Sequence, residues 1–217
     1  MEFQNYEREL KYLLTGNSKL SLEQIFRFLN RYGYELLETC IKKKHEAYYD
    51  DKELKLLNRG DVMRSSKYIS ENISSFMYKK NVSDPSKPYV SKYEFGSGQY
   101  KTIEDFIAEH NLDVKVQANP ILYAKMIRDT CVVEKGGYRL LITYDKVCYF
   151  RNKDSASAYE EMLEIEDWTR PNTVDGDRSY DAHLCDINKV LLDGELPIKL
   201  TKQTKPYRGY KILNEST

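Results

Sequence analysis

The sequence predicts an α+β fold, mainly antiparallel β, in which eight strands close into a barrel with a few flanking helices. Three observations carry that expectation. Apolar and polar residues alternate with period two in segment after segment, the signature of strands with distinct faces. Few helical stretches stand between these segments, whereas parallel pairing needs crossovers of about a dozen residues or more. Closing such a set of strands removes their exposed edges. The chain of 217 residues has 12% aromatic content, with 19 tyrosines, so it has rings enough to require a core. No Gly/Ser/Pro-rich stretch is long enough for a linker, and residues 1–217 are expected to form one domain.

The first strand is expected over Phe3 to Leu14. Ser21 and Gln24 have capping-box spacing ahead of Leu22, Ile25, Phe26 and Leu29, and Gly33 supplies the stop, which predicts a helix. Strands follow from Glu35 to Tyr49, Val62 to Ile69, Ser74 to Val82 and Tyr89 to Phe95, with "SDPSKP" as a loop. Thr102 to His110 is a second capped helix, with Ile103, Phe106 and Ile107 on its apolar side. Ile121 to Val133, Tyr138 to Arg151 and Tyr159 to Trp168 complete the strands. A helix from Ala182 to Leu192 precedes a basic tail, "KLTKQTKPYRGYKIL", for which a solvated surface segment is at least as good a reading as a functional one.

With 34 basic and 34 acidic side chains the formal net charge is zero, so no bulk field draws the chain onto nucleic acid or an anionic membrane. Cys40, Cys131, Cys148 and Cys185 have no C-x-x-C spacing and stand apart from His45, His110 and His183, which argues against zinc and against a disulfide scaffold. Neither a signal-peptide pattern nor an apolar run of membrane-spanning length is present, so the expected location is the cytoplasm.

Alternation puts Glu7, Glu9 and Lys11 on one face of the first strand, and Glu164 and Glu166 share a face of the last. Paired carboxylates on two strands suit a hard divalent cation such as Mg²⁺ or Mn²⁺. Any one such stretch alone reads more readily as a solvated outer face; repetition argues for a lining. Other strands carry basic residues among apolar ones: Arg64, Lys79 or Lys80, Lys92 beside Glu94, Lys125 with Arg128, and Arg139. Turning Phe76 and Tyr78 outward selects Lys79 over Lys80. Lys125 and Arg128 are three apart, so a regular strand cannot aim both inward without a bulge. Asp145 is either a lining residue or a strand-end residue, and Arg151 lies at a strand end. His45, the lysines Lys42, Lys43 and Lys44, and Glu46 form a charged run expected to face solvent, from which Glu46 could still line a cavity. A polar interior of this kind fits a polyanion.

These residues resemble the CYTH superfamily, the triphosphate tunnel metalloenzymes. Glu7, Glu9 and Lys11 match its N-terminal Glu-x-Glu-x-Lys strand, "AYYDDKELKLLNRGDVMRSS" is similar to its following segment, and "RLLITYDKVCYF" with "MLEIE" is similar to its late strands. "ERELKYLL" and the basic tail also look like the related polyphosphate polymerase domain of the vacuolar transporter chaperone family. Two positions depart from the pattern: Ser66 stands where the family has a second Arg, and Gly96 where it has a last carboxylate.

The resemblance implies metal-dependent phosphoryl transfer inside a tunnel. Glu7, Glu9, Glu94, Asp145, Glu164 and Glu166 would hold Mg²⁺ or Mn²⁺, with Glu7, Glu9 and Lys11 central to catalysis. Lys11, Arg64, Lys79, Lys80, Lys92, Lys125, Arg128 and Arg139 would bind phosphate oxygens. The leading function is a phosphohydrolase acting on tripolyphosphate or an organic triphosphate. Alternatives on the same scaffold are a polyphosphate polymerase, a class IV-type adenylyl cyclase and a non-catalytic polyphosphate-binding module. The implied partner is a small-molecule triphosphate or polyphosphate, with an RNA 5′-triphosphate end the one nucleic-acid candidate; no membrane partner is expected. Specificity would lie in loops such as "SDPSKP" and "TRPNTVDGD", and the oligomeric state is open.

Overall fold

The computed structural model describes residues 5–15, 20–69, 74–152, 157–168 and 178–215. Residues 3 and 4 of the expected first strand and the loop at 169–177 lie outside them. The barrel strands are β1 (Asn5–Leu14), β2 (Glu35–Tyr49), β3 (Val62–Tyr68), β4 (Ser74–Asn81), β5 (Val90–Gly98), β6 (Leu122–Lys135), β7 (Tyr138–Phe150) and β8 (Ser157–Asp167). They pair in the order β5-β4-β3-β2-β6-β7-β8-β1, and β5 returns to β1, so the sheet closes. Every pairing is antiparallel. A short β9 (Ile198–Thr201), which lies at the start of the basic tail, pairs with the end of β1.

Two apolar layers wrap the barrel from outside. Helix α1 (Leu22–Asn30) starts at the expected capping box, where Ser21 Oγ accepts from Gln24 N at 3.2 Å and Gln24 Oε1 accepts from Ser21 N at 2.9 Å. Its Ile25 and Leu29 join Leu184, Ile187 and Leu191 of α4 (Arg178–Asp193) over the outer face of β1 and β6–β8. Burying each of these side chains stabilises the fold by roughly 1.5–3 kcal/mol. A short α2 (Lys55–Arg59) and α3 (Ile103–Glu109) cover the outer face of β3–β5 through Leu56, Ile103 and Phe106. The connector that begins α2 is held by Asp50, whose carboxylate accepts from Leu56 N and Leu57 N at 2.9 and 2.8 Å.

The third layer lies inside. Helix α5 (Lys205–Glu215), again from the basic tail, enters one end of the barrel. Its Leu213 packs with Tyr48, Val62, Leu122, Met126, Val147 and Tyr149, residues whose parity turns them to the interior. Pro206, in the first turn of the helix, sacrifices no intrahelical hydrogen bond. Gly209 lets the helix approach, because a Cβ there would sit 2.4 Å from Tyr149 Cδ1. Gly209→Ala should therefore destabilise the protein by about 1–3 kcal/mol despite alanine's better helix propensity. Urea unfolding checks this, and a stabilised variant would mean that α5 is not seated against Tyr149.

Candidate functional site

The upper half of the interior is charged where the lower half is apolar. On β1, Glu7, Glu9 and Lys11 point inward and are nearly fully buried, while Leu10 and Tyr12 join the outer layer. The register sets Glu9 opposite Glu166, Lys11 opposite Glu164 and Glu7 opposite Lys92. Opposed side chains share a face in an antiparallel pair, so all six converge. Arg64, Lys79 and Arg128 reach the same chamber from β3, β4 and β6, and Lys205 reaches it from the first turn of α5. About 100 Å³ of free space remains among them.

Ion pairs fill the walls. Lys11 Nζ lies 2.5 Å from Glu164 Oε1 and 2.8 Å from Glu9 Oε1. Lys92 Nζ donates to Glu9 Oε1 at 2.8 Å, and Lys79 Nζ donates to Glu7 Oε2 at 2.5 Å. Arg128 forms a fork on Asp145, with bonds of 2.8 and 2.6 Å. Lys205 bridges Asp145, at 3.0 Å, and Glu164. Deeper in the wall, Glu46 takes Lys44 at 2.6 Å, Arg64 at 2.9 Å, Ser66 at 3.3 Å and the Tyr48 hydroxyl.

Burial by itself disfavours every charge here, and the partners decide which survive. Burial would raise the carboxyl of Glu9, but Lys11 and Lys92 overcome it and hold the group well below the usual carboxylate range. Glu164 is held low in the same way by Lys11, Lys205 and Arg128. Glu166 goes the other way: burial, then the charges of Glu7 and Glu9, push it well above the usual range. Lys44 is lowered to about 7, first by burial and then by Arg128, with Glu46 opposing.

Ten of the expected residues meet inside: Glu7, Glu9, Lys11, Arg64, Lys79, Lys92, Arg128, Asp145, Glu164 and Glu166. Glu94 stands half-buried beside them, 3.9 Å from Lys79. Three expected residues are elsewhere. Lys80 is exposed, because its neighbour Lys79 takes the inward position. Lys125 has the parity opposite to Arg128 and lies on the outer wall, its ammonium 5.3 Å from the centre of the Phe150 ring. Arg139 shares the parity of Asp145 but lies beyond the barrel mouth, paired with Glu134 at 2.7 Å. Lys44, expected in solvent, is 2% exposed, and Lys205 from the basic tail is 7% exposed.

The two departures from the family pattern have physical settings. Gly96 sits in the β4–β5 register shift at φ +66°, and a Cβ there would lie 2.5 Å from the His110 ring, so no glutamate fits. Ser66 faces Glu46 across the β2–β3 ladder, with Lys44 two residues along β2 on the same face.

Among the described residues no three His, Cys, Asp or Glu side chains are gathered closely enough to form a ready cation site. The donor chemistry nevertheless suits a hard divalent ion: Glu7, Glu9 and Glu166 are carboxylates that line the same chamber, and Glu166 has no ion-pair partner among the described residues. No helix among the described residues is long and apolar enough to cross a membrane.

The sequence matches no protein-family model and no curated protein. Solved structures do resemble it. PH1819 from Pyrococcus horikoshii OT3 superimposes with a TM-score of 0.54 at 18% identity, over 97% of this chain and 99% of that one. HpAC1 from Hippeastrum, an adenylyl cyclase candidate with a dominant triphosphatase activity, gives 0.49 at 10% identity over 97% and 96% of the two chains. The Pct1 RNA triphosphatase of S. pombe gives 0.43 at 14% identity over 88% and 82%. This chain shares its fold with PH1819, and its own sheet closes as an eight-stranded antiparallel barrel.

Proposed function

We propose that the protein is a phosphohydrolase that cleaves tripolyphosphate or an organic triphosphate inside the barrel with the aid of Mg²⁺ or Mn²⁺. The observation that carries this reading is the convergence of Lys11, Arg64, Lys79, Lys92, Arg128 and Lys205 with Glu7, Glu9, Glu164 and Glu166 on one enclosed chamber. The cations would grip phosphate oxygens, Arg64 and Arg128 through planar forks, and their burial strengthens each contact. Glu7, Glu9 and Glu166 would hold the divalent ion, which supplies charge neutralisation at the phosphate oxygens. Water would attack the terminal phosphorus, the bridging P–O bond would break, and a buried carboxylate would take the water's proton. Since α5 fills the opposite end, the anion would enter by the mouth that Glu166 and Ser66 approach.

A binding-only reading has one observation in its favour: Ser66 and Gly96 leave two of the family's charged positions neutral. Products decide between the readings. The protein is incubated with tripolyphosphate, thiamine triphosphate or ATP and either cation, and phosphate, cyclic AMP and lengthened chains are sought. Released phosphate is expected. Glu7→Gln should lower turnover by about 10²–10³-fold while sparing the fold, and full activity in that variant would remove the metal assignment. If no product forms yet tripolyphosphate raises the melting temperature, the protein is a binding module.

A further inference from the structure

Strand β2 is longer than the barrel is tall. It pairs with β6 from Glu35 to Tyr48 but with β3 only from Lys44 to Tyr49. The nine residues Glu35–Lys43 are all exposed and have no strand on the β3 side among the described residues. An open strand edge is a template for another strand. Large apolar side chains gather around it, with Leu36 42%, Leu37 49% and Ile41 72% exposed. Beside it an apolar cavity of about 280 Å³ is lined by Leu22, Phe26, Leu36, Ile41 and Cys131.

Backbone geometry fixes what this edge can accept. Ile69 N donates to Lys43 O at 3.0 Å, so the odd-numbered residues of β2 turn their N–H and C=O toward the β3 side. Beyond Lys43 those are Thr39 and Ile41; a register shift between Leu36 and Glu38 interrupts the regular strand further on. A second copy related by a two-fold axis normal to the sheet preserves faces, so residues of equal parity must oppose. If Thr39 met Thr39, Ile41 would have to pair with the irregular Leu37. If Ile41 met Ile41, Thr39 would need Lys43, whose carbonyl Ile69 already holds. Only Thr39 opposite Ile41 uses every outward group, twice over by symmetry. That register sets Glu38 against Lys42 on both sides of the axis and Cys40 against Cys40 at a non-hydrogen-bonded position, where Cα atoms stand about 4.5 Å apart.

We propose that this edge is the interface with a second copy of the same chain, joined by antiparallel β2 pairing centred on Cys40. The charges select a second copy: the strand is its own complement, Glu38 to Lys42, about that one point. Ile41 from the two copies then meets on the diagonal beside the apolar cavity.

Sedimentation equilibrium of the full chain should give twice the chain's mass. Thr39→Pro removes only an outward-pointing N–H, and Ile41→Glu places a like charge at the diagonal contact; both should sediment as monomers with unchanged circular dichroism. Glu38→Lys should weaken the dimer, and Glu38→Lys with Lys42→Glu should restore it. Diamide, which takes up two electrons and two protons as the thiols join, should cross-link the wild type and spare Cys40→Ser. A monomer up to about 100 μM, a dimer indifferent to all of these substitutions, or a cross-link that survives Cys40→Ser overturns the proposal.

Discussion

Glu164→Ala is expected to destabilise the protein by about 3–5 kcal/mol and to lower triphosphate turnover by about 10²–10³-fold. Glu164 is 7% exposed and touches three cations: Lys11 at 2.5 Å, Arg128 at 3.4 Å and Lys205. Each keeps another partner after the change, Lys11 with Glu9 and the other two with Asp145, so no cation is left bare. The interior nevertheless gains a full unit of uncompensated positive charge beside a new cavity. That excess should bind a polyanion more readily, so the melting temperature of the variant should rise further with tripolyphosphate than that of the wild type. Urea unfolding with and without tripolyphosphate measures both effects. A loss below about 1 kcal/mol would mean that the chamber is hydrated enough to screen Glu164, which surface pairs show and buried ones do not.

The same network explains how a chamber full of charge is stable before any substrate arrives. Lys79 rests on Glu7, Lys92 on Glu9 and Lys205 between Asp145 and Glu164. On the proposed function the carboxylates would stand in for phosphate oxygens, and entry of a polyanion would be an exchange of partners for the lysines rather than the filling of an empty site.

Strand parity was the legible part of the site. Alternation alone turned Glu7, Glu9 and Lys11 to one face, favoured Lys79 over Lys80 and forbade Lys125 and Arg128 from facing the same way. What parity cannot report is height along the barrel. Arg139 and Lys42 share a face with lining residues, yet both lie past the mouth, and only Lys44 of the run Lys42–Lys44 is buried. Barrel height is set by stagger between strands, a non-local quantity. The tail was opaque for another reason: α5 is amphipathic toward the inside of a barrel built by distant strands, and its Lys205 finds carboxylates from β7 and β8. Nothing within "KLTKQTKPYRGYKIL" distinguishes that setting from solvent.

Lys44→Met is expected to raise stability near neutral pH and to lose that advantage in alkaline solution. The ammonium of Lys44 is lowered from 10.5 to about 7, chiefly by burial and by Arg128. Between those two values the unfolded chain holds a proton that the folded chain has released, so wild-type stability rises with pH across the window. The rise is of the order of 2 kcal/mol between pH 7 and pH 9. Methionine carries no proton and fills similar space, and Glu46 keeps Arg64, Ser66 and the Tyr48 hydroxyl. Urea unfolding of both proteins at about pH 6, 7.5 and 9 should show curves that converge as the pH rises; parallel curves would mean that Lys44 stays charged in the fold throughout. Ligand binding should move oppositely. Lys44 lies in the field of Arg64 and Arg128, so its deprotonation thins the positive wall, and tripolyphosphate affinity should fall above about pH 7 more steeply in the wild type than in Lys44→Met.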